Sequence, residues 1–143
     1  MYKNIALTTL LALIILCGTI TRASAQTAKE DPIDVAYKAC LLKDTSCANI
    51  GDCAFVAYGK WDKEMQHAFS KLLAVTKKEK DQAALKASQK AWEAYRDATF
   101  HAYDNMFNLP GNKFCLARHT DRIEMVRDRT MQLRNYIETF KKK

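Results

Sequence analysis

Glycine is scarce in this chain, with four residues in 143, and no cluster of them makes a phosphate-cradling loop. No stretch alternates apolar and polar residues over a useful length, so no sheet is expected. Beyond the first residues no apolar run approaches the length of a membrane span. There is no Cys-x-x-Cys pair, and His67, His101 and His119 each lack a second ligand at the i, i+4 spacing of a helical zinc site. No metal and no cofactor are expected. Nucleophilic catalysis lacks a strand–turn–helix elbow. Asp62 and Glu64 are separated by one position and point to different sides of a helix, while Glu93 and Asp97 share a face without an evident cleft. Enzymatic activity is not expected.

What the chain does have begins with a targeting segment. Lys3 gives a positive start, an apolar run follows from Ile5 to Leu16, and Ala23-Ser24-Ala25 fits the small-x-small cleavage rule. Residues 1–25 therefore read as a secretory signal peptide and residues 26–143 as one helical domain. Lipidation would use Cys17, but Leu16 before it is larger than that processing usually accepts. Soluble export, to a periplasm or the medium, is the preferred reading. Without Lys3 and Arg22 the charge is 21 basic against 16 acidic side chains, or +5, and three of the positive charges are the terminal Lys141, Lys142 and Lys143. The rest is a mixed-charge surface, where a nucleic-acid binder would need a clustered positive face. Neither nucleic acid nor stable membrane insertion is expected.

Four cysteines remain in the mature chain: Cys40, Cys47, Cys53 and Cys115. In a small exported domain an even number reads as two disulfides. Three connectivities are open. The preferred one joins Cys40 to Cys53 across the ends of the first two helices and leaves Cys47 to reach Cys115. In the loop-entropy account these bonds are worth about 3 and about 4 kcal/mol.

Helical periodicity covers most of the remainder. Asp31-Pro32-Ile33-Asp34 is a strong helix opening, with a capping aspartate and a proline where its missing N–H costs nothing. A short helix is predicted to Leu42, with Ile33, Ala36, Tyr37, Cys40 and Leu41 on one face, and residues 43–51 are predicted as loop. A long helix from about Asp52 to Thr76 places Ala54, Tyr58, Trp61, Met65, Ala68, Leu72 and Val75 at steps of four and three. The pattern resumes at Leu85, Ser88, Trp92, Tyr95, Thr99, Ala102 and Met106. It breaks at Asn108–Asn112 and returns at Ile123, Val126, Thr130, Leu133, Ile137 and Phe140. Short connections make sequential helices antiparallel. The predicted fold is all-α: an antiparallel bundle of three long helices plus a short N-terminal helix, stapled by two disulfides, with Trp61 and Trp92 in its core. Ser88 and Thr99 are expected to allow close helix approach. Arg96 follows a tyrosine expected to face the core, and its natural partner is Asp62 or Glu64 on the preceding helix.

Several blocks of this sequence resemble the LprI-type lysozyme inhibitor family, a domain of exported bacterial proteins. They are Asp31-Pro32-Ile33-Asp34, Cys53-Ala54, Tyr58-x-x-Trp61-Asp62-x-Glu64, Ser88-Gln89-x-Ala91-Trp92-x-x-Tyr95-Arg96-Asp97-Ala98, and Asp121-Arg122-x-Glu124-x-Val126-x-x-Arg129. The Trp92–Ala98 block is the most specific, and the resemblance runs from about Asp31 to Tyr136. Many relatives carry a cysteine just after the Arg-Asp-Ala block, paired near the start of the last helix. Here that region reads Thr99-Phe100 while Cys115 is present, so Cys47 looks like an added cysteine that takes its place.

The resemblance implies an exported protein, some of whose relatives are taken to inhibit lysozyme by protein–protein binding. A glycosidase cleft carries two carboxyl groups, so a protruding cation could plug it. The candidates are Lys113, at the end of the irregular segment Asn108–Lys113, with Arg118 and His119 after it. Many lysozymes are themselves basic, so the net charge of this chain gives no steering toward them. The rival expectation is a non-inhibitory envelope module for interaction or stress protection. An exposed rigid basic loop at 108–119 would favour the inhibitor. A segment tied flat by Cys115, with an apolar groove elsewhere, would favour the rival.

Overall fold

The computed structural model describes residues 29–141. The proposed signal peptide, Lys142 and Lys143 lie outside the described residues. Four helices follow in order: α1 (Pro32–Leu41), α2 (Cys47–Val75), α3 (Glu79–Met106) and α4 (Asn112–Lys141). Among the described residues there is no strand, and no helix is long and apolar enough to cross a membrane.

The starts of α1 and α2 have local causes. The Asp31 carboxylate accepts from the Ile33 N–H at 2.9 Å with Pro32 in the first turn. α2 begins at Cys47, five residues before the predicted Asp52. Ser46 is its cap, its hydroxyl accepting from the Asn49 N–H at 3.3 Å, and Asp44 in turn accepts from the Ser46 N–H at 2.9 Å. At the other end of α2 the Gln82 amide donates to the carbonyls of Leu73 and Thr76 at 3.2 and 2.8 Å. The α3–α4 turn closes on Gly111, whose φ of 113° lies where side-chain-bearing residues are strained.

α2 and α4 are the close-packed pair and run parallel. Cys47 bonds Cys115 at their starts, the Thr130 hydroxyl lies 3.4 Å from the Trp61 carbonyl midway, and Glu64 pairs with Arg134 further on. Trp61, Met65, Leu72, Val126, Thr130 and Leu133 are fully buried between them. α3 runs antiparallel to both and lies farther out, reaching them through long side chains. α1 lies against α2, held by the Cys40–Cys53 bond, and buries no residue completely. Both disulfides join the pairs preferred from the sequence.

The inward face of α3 differs from the predicted one. Leu85, Gln89, Trp92 and Phe100 turn toward the core with Arg96, whereas Ser88 is exposed and Tyr95 and Met106 are more than half exposed. The buried positions include Gln89, a polar residue that the apolar count skipped, so the periodicity selected the neighbouring stripe. Close approach through Ser88 does not occur. Trp61 anchors the core as expected, while Trp92 packs at its edge.

Candidate functional site

The residues that carry the family resemblance fall into two clusters. In the first, the Trp61 indole N–H donates to Asp34 at 3.0 Å, and the Arg127 Nε donates to the second oxygen of the same carboxylate at 2.8 Å. The guanidinium carbons of Arg127 and Arg134 sit 5.9 and 5.7 Å from the Trp61 ring centroid. Arg134 continues to Glu64 at 2.6 Å and Asp31 at 3.5 Å. This network ties α1 to both helices of the core pair. Trp61, Asp34 and Glu64 thus set helix register.

The second cluster surrounds Trp92. The buried Gln89 accepts from the Arg129 Nε at 3.1 Å and donates to Glu93 at 3.1 Å. Arg96 and Arg129 flank the Trp92 ring at 5.5 and 5.7 Å. Arg96 bonds Asp97 at 2.8 Å and reaches Asp62 at 3.8 Å, the interhelical partner expected from the sequence. These contacts hold α3 at a distance from α4 and leave a groove between them.

That groove encloses about 510 Å3 and takes Trp92, Tyr95 and Tyr103 from α3. From α4 it takes Asp121, Glu124 and Asp128, whose i, i+3, i+7 spacing sets three carboxylates along one helix face. Among the described residues Asp121 and Glu124 make no ion pair, and Asp128 reaches only Arg127, at 4.0 Å. The Tyr103 phenol is held above its ordinary pKa, first by burial and then by the negative charge of Asp121, with Glu124 adding to it. Arg129, at the groove floor, spends its Nε on Gln89 and bonds Gln132 through a terminal nitrogen. The arrangement is aromatic rings beside three carboxylates, two of them without an ion pair among the described residues, which suits a cationic side chain. From the sequence, Tyr95 was expected in the core; the structure puts it on this groove. The acidic stripe is legible in the sequence only as a spacing on α4, since the rings that make it a groove come from α3.

The segment expected to protrude is shorter. Only residues 107–111 connect α3 to α4, and Lys113, Arg118 and His119 lie on the first turns of α4. The Cys47–Cys115 bond pins those turns to α2, which counts against a protruding plug at Lys113 and, at this segment, favours the non-inhibitory alternative. The Lys113 ammonium lies 4.8 Å from the Phe114 ring centroid. His119 is half-buried, and a Cβ on Gly51 would come within 3.6 Å of its Nε2. Burial, and then the charges of Arg118 and Arg122, lower the His119 pKa below its usual 6.5. The folded state thus resists protonation there more than the unfolded chain does. Its contribution to stability is complete above pH 6.5 and is lost as pH falls through the depressed value. Urea midpoints measured across this interval should fall on acidification, and the His119→Gln variant should show a shallower fall.

These features define an all-α bundle pinned by two disulfides, with an acidic aromatic groove beside its outer helix. The family model described as "Lysozyme inhibitor LprI" matches residues 40–133, and the chain belongs to that family. Its fold is similar to the crystal structure of an uncharacterized protein from Burkholderia thailandensis, with a TM-score of 0.71 and 25% identity. The match covers 80% of this chain and 58% of that one, so the present chain spans less than two thirds of that relative. A search of the curated proteins returns no match.

Proposed function

We propose that the chain is an exported bacterial envelope protein that inhibits lysozyme by binding it, and that the α3–α4 groove is the contact surface. Residues 1–25 are proposed as the export signal and residues 26–143 as the mature domain. Two disulfides fit an oxidising compartment. The observation that carries the reading is the stripe Asp121, Glu124 and Asp128 beside Tyr95 and Tyr103. A positive net charge would repel a basic enzyme at long range, but association is guided by the local field of the docking face. The groove lining carries three carboxylates against the one guanidinium of Arg129.

Lys113, with Arg118 and His119 behind it, is the competing contact, an exposed cation on a turn made rigid by Cys47–Cys115. The test is a cell-wall lysis assay in which oxidised residues 26–143 are titrated against several lysozyme classes. Dose-dependent inhibition of at least one basic class is expected. A folded, disulfide-intact sample that inhibits none would contradict the reading and leave a non-inhibitory envelope module with another partner.

A further inference from the structure

A second groove, of about 350 Å3, is lined from α2, α3 and α4 near the disulfide end. Ala54, Phe55 and Tyr58 of α2 and Phe100 of α3 give it an apolar lining, and His119 and Arg122 enter from α4. Tyr58 and Phe100 meet edge to face, with ring centroids 5.8 Å apart. Phe55 beside them is 80% exposed, an aromatic ring that the core does not use.

The polar side of the groove is positive. Arg122 stacks over Phe100 at 5.0 Å, donates to the Phe100 carbonyl at 3.2 Å and pairs with Asp104 at 2.6 Å. Arg118 stands one turn before it, and at His119 the positive charges of Arg118 and Arg122 outweigh the negative charge of Asp104. The Nε–H groups of Arg118 and Arg122 are buried and donate to no acceptor among the described residues. Buried donors are normally satisfied, and of these two Arg122 lines the groove, where the apolar lining ends. A volume near the lower end of ligand pockets, roughly 300–1,000 Å3, suits one short alkyl chain.

We infer that this groove binds a free single-chain amphiphile with a carboxylate head, of the fatty-acid class. The chain lies along Ala54, Phe55, Tyr58 and Phe100, and the head is directed to Arg122. This site is separate from the acidic groove and does not depend on lysozyme binding.

The test is isothermal titration of the oxidised protein with decanoate, decanol and decyltrimethylammonium, each below its micelle concentration. Decanoate should bind saturably at one site, at least about tenfold tighter than the neutral and cationic chains. Phe55→Ala should weaken it about fivefold. Because Phe55 is so exposed, that variant keeps the fold. Gly51→Leu, which fills the groove beside His119, should weaken binding at least about tenfold, with circular dichroism confirming folding. Absence of saturable binding, equal binding of all three amphiphiles, or decanoate affinity unchanged in Phe55→Ala would each overturn the inference.

Discussion

Trp61→Ala should lower the melting temperature by at least about 10 °C, the largest single-residue effect expected in this molecule. The ring is fully buried in the α2–α4 core, and truncating such a residue costs about 3–5 kcal/mol. In a domain of this size that loss moves Tm by several degrees per kcal/mol. The loss extends beyond the cavity. Asp34 would keep its bond to Arg127 but lose the indole donor, and two guanidinium groups would lose the ring they flank. Trp61→Phe should fall between the parent and the alanine variant, since it restores most of the volume without the Asp34 bond. Thermal melts followed by circular dichroism check the series. Equal melting points for the phenylalanine variant and the parent would show that the Asp34 bond contributes nothing.

Breaking the Cys47–Cys115 bond by replacing both cysteines with serine should destabilise the domain by about 4 kcal/mol, because the bond closes a long loop. Removing Cys40–Cys53, which closes a shorter one, should cost about 3 kcal/mol. The first bond also fixes the starts of two parallel helices that share no short connection. Its loss should therefore loosen the first turns of α4, with faster amide exchange at residues 113–118 than in the Cys40–Cys53 variant. Urea unfolding of the two double variants gives the comparison. A larger loss from the shorter loop would contradict the loop-length account.

The parts of this fold that were legible in the sequence are those where apolar residues do the packing. Trp61, Met65, Ala68 and Leu72 on α2 and Ile123, Val126, Leu133 and Ile137 on α4 repeat at helical steps and are buried at those steps. The inward face of α3 is not legible in this way because it packs through Gln89, Arg96 and the partly buried Trp92, and polar residues with long-range partners do not register in an apolar count. α2 starts earlier than its apolar seam because Ser46 caps a turn, Cys47 to Gly51, in which Ile50 alone is a large apolar residue and no repeat precedes it. The candidate site was hidden for a related reason. Asp121, Glu124 and Asp128 look like an ordinary solvated helix face until α3 brings Trp92, Tyr95 and Tyr103 alongside them. That juxtaposition depends on tertiary structure. The cation at Lys113 was visible in sequence, but the irregular segment before it is shorter than expected because the helix starts earlier.

The most direct test of the central claim is the affinity of the oxidised domain for a basic lysozyme, compared across two charge reversals. In the Asp121→Lys/Glu124→Lys protein affinity should fall by about a hundredfold or more, since two unpaired carboxylates become like charges to the partner. Lys113→Glu should leave it within about threefold, consistent with an exposed charge outside the contact. If the double reversal binds as tightly as the parent while Lys113→Glu loses binding, the contact lies at the basic start of α4 and the acidic groove has no part in it.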